Sequence, residues 1–328
     1  MTEATRICVF GAGGVGGYLA ATLARAGRRV AIVARGEHLR AIQRDGLRVS
    51  SGGHDFQVRL EATDEFASLD PQDVVIVSTK SNALAGVARS LGPHLKADTR
   101  VLFAVNGVFW FYADCFAPAG QTMNLARLDP DSALHRQIGV NRSYGMVVRS
   151  PNDVVAPGHI LNDGGGRYCI GSASGDASSL NELQALLDVP GARVEVTNNI
   201  RLEMWRKAIR NVAVALVCVP VQSSPGAAFG DPAVRKLALS VMREASDVAR
   251  AHGFTDILDL EQDANVVARM KAMKPSIVQD LERGRPMEID AQVLAIQDLA
   301  RQAGLRTPTI DLLTPLVVLR ARLAGCFS

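Results

Sequence analysis

The amino-acid sequence predicts an α/β domain built on a doubly wound parallel sheet, followed by an all-helical domain. Short, wholly apolar segments alternate with helical segments in the first half of the chain, as expected of parallel strands covered on both faces. A glycine-rich turn joins the first apolar segment to the first helix. From about residue 198 helical patterns continue to the end of the chain. Because the composition changes near 190–197, we place the domains at 1–195 and 196–328.

Four apolar segments of the first half are predicted to be strands of the parallel sheet: residues 6–10, 29–35, 73–80 and 99–105. A helix is expected over 16–27, ending at a glycine, and another between the third and fourth strands. Between residues 121 and 171, Pro-Gly and Gly-rich turns separate further apolar segments. We expect these segments to add antiparallel strands to the same sheet.

The second half is predicted to contain five helices. The first begins at Asn198 or Asn199, which are candidate N-caps, and stops near Pro220. The others are expected at about 231–252, 261–283, 287–304 and 309–324, where glycines separate them.

Composition argues against several classes of function. A net charge of +3 on 328 residues, without a block of like charges, does not favour nucleic-acid binding. The longest apolar run, 212–221, is about half of the ~20 residues that a membrane span needs. Five scattered cysteines without a CxxC pair fit reduced thiols in a cytoplasmic protein. The histidines show no metal-ligand spacing, so no metal is expected.

The segment "GAGGVGG" at 11–17 follows the first strand and opens the first helix. Its glycines at 11, 13 and 16 match the pattern G-x-G-x-x-G of Rossmann-type domains, in which the helix N-terminus faces a pyrophosphate. A flexible turn is the alternative, but the strand before it and the helix after it favour the dinucleotide site. The predicted cofactor-binding residues of this loop are Gly11, Ala12, Gly13, Gly14, Val15 and Gly16.

Arg35 ends the second strand, where an NAD-binding site usually carries Asp or Glu for the ribose hydroxyl. A guanidinium can bind a 2′-phosphate through two hydrogen bonds, with Arg40 one turn further on, so we favour NADP(H). A surface arginine at a strand end is the alternative. Lys80 and Asn106 also lie at strand ends, where ligands bind in open α/β sheets, although lysine is common there and Asn-Gly is a favoured turn.

The segment "WRKAIRNVAVALVCVPV" at 205–221 raises the question of a functional lysine. On a helix, Lys207, Asn211 and Ala215 share one stripe, and every face is apolar after Asn211. Lys207 therefore lies where the helix passes from solvent into a core. Partial desolvation there would lower its pKa from the usual ~10.4 and suit it to donate a proton. A snorkelling lysine at a helix end is the alternative, and spacing alone leaves both open.

Two residues of "KPSIVQDLERGRPMEID", at 274–290, are further candidates. Ser276 with Gln279 forms an acceptable capping box, and Glu288 follows Pro286 in what should be a first helical turn. Both residues therefore also have a purely structural explanation.

Together these segments resemble the ketopantoate reductase family (2-dehydropantoate 2-reductases) along nearly the whole chain. The family's order is kept by "GAGGVGGYLA", "VAR", "STK", "VNG", "WRKAIRN", "KPSIVQDLERGRPMEIDA" and "GLRTPT". The resemblance implies a Rossmann domain plus a helical domain, with the active site in the cleft. It also implies reduction of 2-dehydropantoate to pantoate by NADPH, for pantothenate and coenzyme A synthesis.

The resemblance implies a role for each matching residue. Lys207 falls on the general acid that protonates the alkoxide, and Glu288 on the carboxylate that binds the substrate hydroxyl and orients the site. Asn211 and Ser276 fall on substrate-binding positions, and Asn106 on the asparagine between nicotinamide and substrate.

On the cofactor side, Arg35 matches the 2′-phosphate ligand and Lys80 a cofactor-side lysine. The chain also departs from the family's pattern. Ala215 stands where a second asparagine is usual, Val293 and Leu294 stand where Asn and Gly are usual, and an aromatic run follows "VNG". These changes leave the hydride-transfer residues intact and alter the expected substrate shell.

The main prediction is thus an NADPH-dependent 2-dehydropantoate reductase. A paralogue that reduces another small 2-oxo acid is the alternative among enzymes. A non-catalytic NADP(H)-sensing protein is a third reading, against which the presence of Lys207, Asn211, Ser276 and Glu288 together argues. The expected partner is a small 2-oxo acid, with no nucleic acid and no membrane, and the apolar C-terminal helices would permit a homodimer.

Overall fold

A computed structural model of the protein describes residues 4–114, 123–270 and 274–328. The chain divides into two compact units, each made of two stretches. The first unit contains Met1–Val105 and Asp129–Ile200, and the second contains Asn106–Leu128 and Arg201–Ser328. The chain therefore passes between the units at three points, whereas the sequence predicts a single boundary after residue 195.

The first unit holds all the strands of the described residues. These are β1 (Arg6–Phe10), β2 (Arg29–Val33), β3 (Leu47–Ser51), β4 (His54–Val58), β5 (Glu61–Thr63), β6 (Val74–Val77), β7 (Arg100–Phe103), β8 (Ser143–Arg149), β9 (Asn152–Ala156), β10 (His159–Asn162), β11 (Gly166–Ser172) and β12 (Ala192–Val196). Its helices are α1 (Gly14–Arg25), α2 (Gly36–Asp45), α3 (Leu84–Leu91), α4 (Ala133–Gln137) and α5 (Leu180–Leu187).

Eight strands form the main sheet in the order β12-β11-β8-β7-β6-β1-β2-β5. All neighbouring pairs run parallel except β8 with β11. The apolar strands β1, β6 and β7 lie at its centre and are almost wholly buried, which explains why they lack the alternation of half-exposed strands. The sheet reverses its strand order beside β1, and the predicted doubly wound α/β fold is confirmed.

A second sheet of four strands, in the order β4-β3-β10-β9, lies apart from the main sheet. Of the expected antiparallel additions, β8 and β11 join the main sheet and pair antiparallel with each other, although β8 runs parallel to β7. The expectation is wrong for β9 and β10, which join this second sheet. The hairpin of β3 and β4 was not expected from the sequence. Its strands are short and partly exposed, so they lack the continuous apolar runs that reveal the central strands.

Helices are the only regular secondary structure among the described residues of the second unit, as predicted. Its helices are α6 (Ile200–Val221), α7 (Pro225–Gly230), α8 (Pro232–Ala251), α9 (Leu260–Ala268), α10 (Ser276–Glu282), α11 (Ala295–Gln302) and α12 (Pro308–Leu323). The helix predicted at 261–283 is two helices, α9 and α10, on either side of the undescribed residues 271–273. The helix predicted at 287–304 begins with a π-helical segment, Asp290–Leu294, before α11.

Pro220 lies inside the last turn of α6 and the helix ends one residue later, as expected of a proline near a helix end. No helix among residues 4–114, 123–270 and 274–328 is long and apolar enough to cross a membrane. Four cysteines, Cys8, Cys169, Cys218 and Cys326, are buried and form no disulfide among the described residues, and Cys115 lies outside them.

Candidate active site

The glycine loop connects β1 to α1 in a conformation that requires two of its glycines. Gly11 has a φ of +112°, and a Cβ at Gly16 would lie 2.0 Å from the carbonyl oxygen of Gly11 and 2.1 Å from Ser78 Oγ. The loop is fixed to the sheet because Gly11 N–H donates to Val33 O at 3.0 Å and Ser78 Oγ–H donates to Gly11 O at 2.8 Å. The loop, β2 and β6 therefore meet at one edge of the sheet.

Gly13 is the N-cap of α1 and is exposed, and a Cβ added to it would meet nothing within 4 Å. The first turn of α1 contains no acidic side chain. The loop thus presents an open space in front of the amide groups of a helix N-terminus, which attracts anions. This arrangement fits the pyrophosphate of a dinucleotide. Ala12, Gly14 and Val15 complete the predicted loop between these positions.

Arg35 is the N-cap of α2, directly after β2, and is exposed together with Arg40. Both guanidinium groups are thus carried by one short segment at the sheet edge that holds the glycine loop. Lys80 is half-buried at the end of the segment after β6, at the N-terminus of a single 3₁₀ turn, Ser81–Ala83. The first unit therefore presents three basic side chains after the carboxyl ends of two strands, as a phosphate-bearing cofactor needs.

His38 and Thr79 are two residues near the loop that the sequence analysis missed. Thr79 Oγ1 is buried and has no hydrogen-bond partner among the residues that the structure describes, and its methyl carbon would be 3.0 Å from a Cβ at Gly11. Burial lowers the pKa of His38, although a hydrogen bond to the Ala12 backbone acts to raise it. Its Nδ1 accepts from Gly158 N–H at 2.8 Å, which requires a neutral ring that carries its proton on Nε2. His38 belongs to no motif, and Thr79 lies within "STK" without a pattern that singles it out, so only the fold places both beside the loop.

In the second unit, Lys207, Asn106 and Glu288 form a hydrogen-bonded chain. Lys207 Nζ donates to Asn106 Oδ1 at 2.6 Å, and Asn106 Nδ2 donates to Glu288 Oε2 at 3.2 Å. The amide thus accepts from the ammonium and donates to the carboxylate, the only orientation that satisfies both partners. Lys207 and Asn106 are half-buried, and Glu288 is buried. Asn106 and Glu288, which are 182 positions apart in the sequence, are therefore joined with Lys207 in one site.

Gln292 extends this chain. It is buried, and its Nε2 lies 3.4 Å from Glu288 Oε2, the same oxygen that accepts from Asn106. Gln292 belongs to the π-helical segment Asp290–Leu294, one turn after Glu288. Segments of π-helix are rare and occur often at functional sites. The sequence shows the glutamine, but the altered helical pitch that keeps it beside Glu288 cannot be read from periodicity.

The π-helical segment also holds Asn106 in place through the next two residues. Val108 N–H donates to Ala291 O at 2.9 Å. Gly107 has a φ of +84°, and a Cβ there would lie 2.3 Å from Ala291 O. Only glycine can therefore bring the backbone after Asn106 this close to the π-helical segment.

The other cations of "WRKAIRN" have structural partners. Arg206 donates to Glu203 Oε1 at 2.7 Å and to Asp256 Oδ2 at 2.8 Å. Arg210 binds both carboxylate oxygens of Asp263, which is buried. The two arginines thus attach α6 to the segment before α9 and to α9 itself, while Lys207 points to Asn106.

Two other predicted site residues, Asn211 and Ser276, do not join the hydrogen bonds of Lys207, Asn106 and Glu288 within the described residues. Asn211 is half-buried on α6, and Ser276 is exposed as the first residue of α10. Neither side chain forms a hydrogen bond within the described part of the chain, so their substrate-binding roles stay predictions. Ala215 and Val293, two of the departures from the family's pattern, are fully buried, and Leu294 is half-buried.

The aromatic run after Asn106 belongs to the core of the second unit. Phe109, Trp110, Phe111 and Tyr112 are each at most 2% exposed. Arg201 donates to the carbonyl oxygens of Phe111 and Tyr112 at 2.9 and 3.1 Å, and Trp205 Nε1–H donates to Tyr112 Oη at 3.0 Å. These contacts fix the stretch 106–114 against the start of α6, which supports the position of Asn106 beside Lys207.

A dinucleotide-binding sheet in one unit and a lysine–amide–carboxylate chain in the other together define an oxidoreductase that uses a pyridine nucleotide. Comparison with known proteins agrees. A family model described as ketopantoate reductase PanE/ApbA matches residues 7–109, and the model of the C-terminal part of the same family matches residues 199–321. The chain belongs to this family, whose members are pyridine-nucleotide-dependent reductases.

Individual relatives extend over almost the entire chain. The 2-dehydropantoate 2-reductase of Mesorhizobium japonicum is 37% identical, over 98% of this chain and 100% of the relative. A protein of Ralstonia solanacearum MolK2 of known crystal structure has a TM-score of 0.90 at 34% identity, covering 98% and 99% of the two chains. The PanE/ApbA family ketopantoate reductase of Ralstonia eutropha JMP134 has a TM-score of 0.84 at 28% identity, with the same coverage.

Proposed function

We propose that this protein reduces the 2-oxo group of 2-dehydropantoate to pantoate with NADPH, a step of pantothenate and coenzyme A synthesis. The observation that carries this proposal is the chain of hydrogen bonds from Lys207 through Asn106 to Glu288. It joins a proton donor to a buried carboxylate through one amide. A protein that only sensed NADP(H) would need the glycine loop and Arg35, but its function would not require these hydrogen bonds.

The first unit binds the nucleotide in this proposal. The open space at Gly13 and the amide groups of α1 receive the pyrophosphate. Arg35, with Arg40 beside it, receives the 2′-phosphate that distinguishes NADPH from NADH, and Lys80 adds a third positive charge. A bound NADPH supplies the hydride that is added to C2 of the substrate.

The second unit supplies the proton and holds the substrate. Lys207 keeps a proton at Nζ and gives it to the carbonyl oxygen as C2 is reduced, while its positive charge stabilises the negative charge that grows on that oxygen. Asn106 keeps the ammonium in place by accepting one of its hydrogen bonds. Glu288 accepts a hydrogen bond from the 4-hydroxyl group of the substrate, with Asn211 and Ser276 as further substrate contacts. Lys207 then regains its proton from solvent.

A second candidate is the reduction of another small 2-oxo acid, one without the hydroxyl group. The observation that favours it is the full burial of Ala215 and Val293, which replace two polar residues of the family's pattern with apolar side chains in the core of this unit. A site with fewer hydrogen-bonding groups discriminates less strongly for a hydroxyl-bearing substrate.

The two candidates are separated by a matched pair of substrates. The first is 2-dehydropantoate, and the second is 3,3-dimethyl-2-oxobutanoate, which lacks only its hydroxyl group. If Glu288 binds that hydroxyl, kcat/KM measured from NADPH absorbance favours 2-dehydropantoate by about 100-fold or more, and Glu288→Gln reduces this preference. Equal or inverted kcat/KM values in the wild type would support the second candidate, and tight NADPH binding without turnover of either would reject both.

The cofactor assignment is tested separately by binding. We expect NADPH to bind more tightly than NADH, and Arg35→Ala to weaken NADPH roughly 10- to 100-fold because a charge-assisted hydrogen bond to phosphate is lost. The affinity for NADH serves as the internal control and should change little. Equal affinities of the wild type for both nucleotides would contradict the role of Arg35.

A further inference from the structure

The last helix, α12, carries an exposed row of leucines. Leu312, Leu316, Leu319 and Leu323 are 70%, 53%, 56% and 77% exposed. They follow one another at intervals of four, three and four residues, so they lie along one face of the helix. Large side chains this exposed are normal singly, but a contiguous row on one helix marks an interaction surface. We refer to these four residues as the leucine row.

The opposite face of α12 is built into the second unit. Ile310, Val317 and Ala321 are fully buried on that face, together with Thr314. The helix N-terminus is fixed as well, because both carboxylate oxygens of Glu244 on α8 accept from the N–H groups of Thr309 and Ile310, at 2.8 and 2.9 Å. The helix is therefore held on one side, and the leucine row cannot turn inward to bury itself.

The spacing of the leucine row is the same read in either direction. If a second copy of α12 is laid antiparallel, Leu312 meets Leu323 of the other copy and Leu316 meets Leu319, so that every leucine faces a leucine. A parallel arrangement places each leucine beside its own counterpart. Both arrangements satisfy a two-fold symmetry in which the same surface is used by both subunits, so the spacing alone does not decide between them.

The charges at the two ends of the leucine row favour the antiparallel arrangement. Asp311 precedes the row, and Arg320 and Arg322 lie near its end; all three are exposed. Asp311 uses only Oδ1 in its hydrogen bonds with Gln297 and Thr307, at 2.5 and 3.1 Å. In an antiparallel pair each Asp311 lies within reach of the other copy's arginines, whereas a parallel pair brings like charges together. The helix dipoles also oppose each other only in the antiparallel pair.

We propose that the leucine row is the centre of a homodimer interface in which α12 of two copies pack antiparallel about a two-fold axis. The partner is a second copy of this chain, because the surface is complementary to itself in both spacing and charge. This proposal rests on α12 alone and is independent of the substrate and of the cofactor.

The first test is the mass of the full-length protein in solution, measured by analytical ultracentrifugation over a range of concentrations. We expect a dimer of twice the 35.0 kDa chain. The double variant Leu316→Glu/Leu319→Glu should raise the dissociation constant of the dimer roughly 100-fold or more, since it places four carboxylates in the centre of the interface. The matched control is Leu161→Glu, at a leucine of the first unit that is 46% exposed, which should leave the dimer intact.

The second test determines the direction of the helices by disulfide cross-linking. Within one helix, residues 312 and 323 are about 16 Å apart, too far for an internal disulfide. The double variant Leu312→Cys/Leu323→Cys should therefore form a covalent dimer on mild oxidation, while each single variant and the wild type should not. NADPH binding and circular dichroism confirm that the variants are folded.

Three results would overturn the proposal. The first is a wild-type protein that remains monomeric at the highest concentration measured. The second is a dimer in which the single variant Leu312→Cys cross-links as well as the double variant, because that requires parallel helices. The third is a dimer that survives Leu316→Glu/Leu319→Glu unchanged, because its interface must lie elsewhere.

Discussion

Lys207 differs from its neighbours on α6 in what it is bound to. Arg206 and Arg210 bind the carboxylates of Asp256 and Asp263 on other segments of the second unit, so their charges serve the fold. Lys207 instead donates to a neutral amide, which in turn binds Glu288. The spacing of the lysine and asparagine on α6 indicated a stripe, and the structure adds Asn106, a partner from a distant segment.

Replacing Lys207 tests its proposed role as the acid. We expect Lys207→Ala to lower kcat by about 10²- to 10⁴-fold because the proton donor is lost. Lys207→Arg keeps the charge but should lose nearly as much, since a guanidinium does not release its proton at working pH. NADPH affinity, measured by fluorescence, should remain within about twofold in both variants if the first unit alone binds the nucleotide.

The exposed Lys236 on α8 provides the control, and Lys236→Ala should have wild-type kcat. A Lys207→Arg variant with wild-type activity would show that only the positive charge matters and that the proton comes from elsewhere.

Gly107 is the second residue on which the site depends. Its φ of +84° and the 2.3 Å approach of a Cβ to Ala291 O make alanine unfavourable in both conformation and space. We expect Gly107→Ala to lower the free energy of unfolding by roughly 1–3 kcal/mol and to reduce kcat, because the backbone must move next to Asn106. The measurements are urea unfolding and steady-state kinetics.

Gly86 gives the matched comparison for this substitution. It lies inside α3, is exposed, and a Cβ there meets nothing within 4 Å. Gly86→Ala should therefore stabilise the protein by about 0.5–1 kcal/mol, as expected in a helix interior, and leave kcat unchanged. Equal effects of the two substitutions would contradict the importance of the contact between Gly107 and Ala291.

Among the elements, those that local pattern determines were predicted and those that tertiary contacts determine were not. The central strands and α6, α8 and α12 follow from continuous apolar runs or amphipathic periods with glycine and proline at their ends. The strands β3 and β4 and the π-helical segment Asp290–Leu294 have no such signal. The carbonyl group of Ala291 in that segment bonds to Val108, a partner that no local pattern contains.

The end of α8 offers a test of how pH acts on one element. His252 caps α8, its Nε2 lies 3.2 Å from Leu299 O, and its ring packs edge-on against Tyr112 at 5.9 Å. Burial lowers the pKa of His252, against a smaller opposing effect of the bond to Leu299. The folded state therefore binds fewer protons than the unfolded state between the usual value of 6.5 and the lowered one.

It follows that this histidine stabilises the fold above pH 6.5 and that its contribution is lost as pH falls through the lowered pKa. On acidification, we expect the free energy of unfolding to fall less for His252→Gln than for the wild type. Urea titrations at several pH values measure this difference. His54→Gln, at an exposed histidine of β4, should keep the wild-type slope. A steeper fall in His252→Gln would reverse the sign of the argument.

At the scale of the whole molecule, the division into two units explains what the sequence could not show. A composition change near 190–197 indicated two domains, because most of the helical unit follows it in the chain. The stretch Asn106–Leu128 belongs to the second unit although it lies within the first half of the sequence. Its aromatic residues are as apolar as those of the central strands, and only their contacts with Arg201 and Trp205 reveal which core they occupy.

This interrupted division predicts the behaviour of separated pieces. A fragment of residues 1–195 would retain Phe109, Trp110 and Phe111, which are buried in the second unit, without the helices that cover them. We expect this fragment to associate and to bind a hydrophobic dye.

A fragment of residues 1–200 in which 106–128 is replaced by a flexible Gly/Ser linker loses no part of the first unit, and the entropic cost of closing the linker loop is small. It should unfold cooperatively, remain unassociated and bind NADPH with nearly the affinity of the full chain. If both fragments behaved alike in dye binding and ultracentrifugation, the exposed aromatic residues could not be the cause, and the assignment of 106–128 to the second unit would fail.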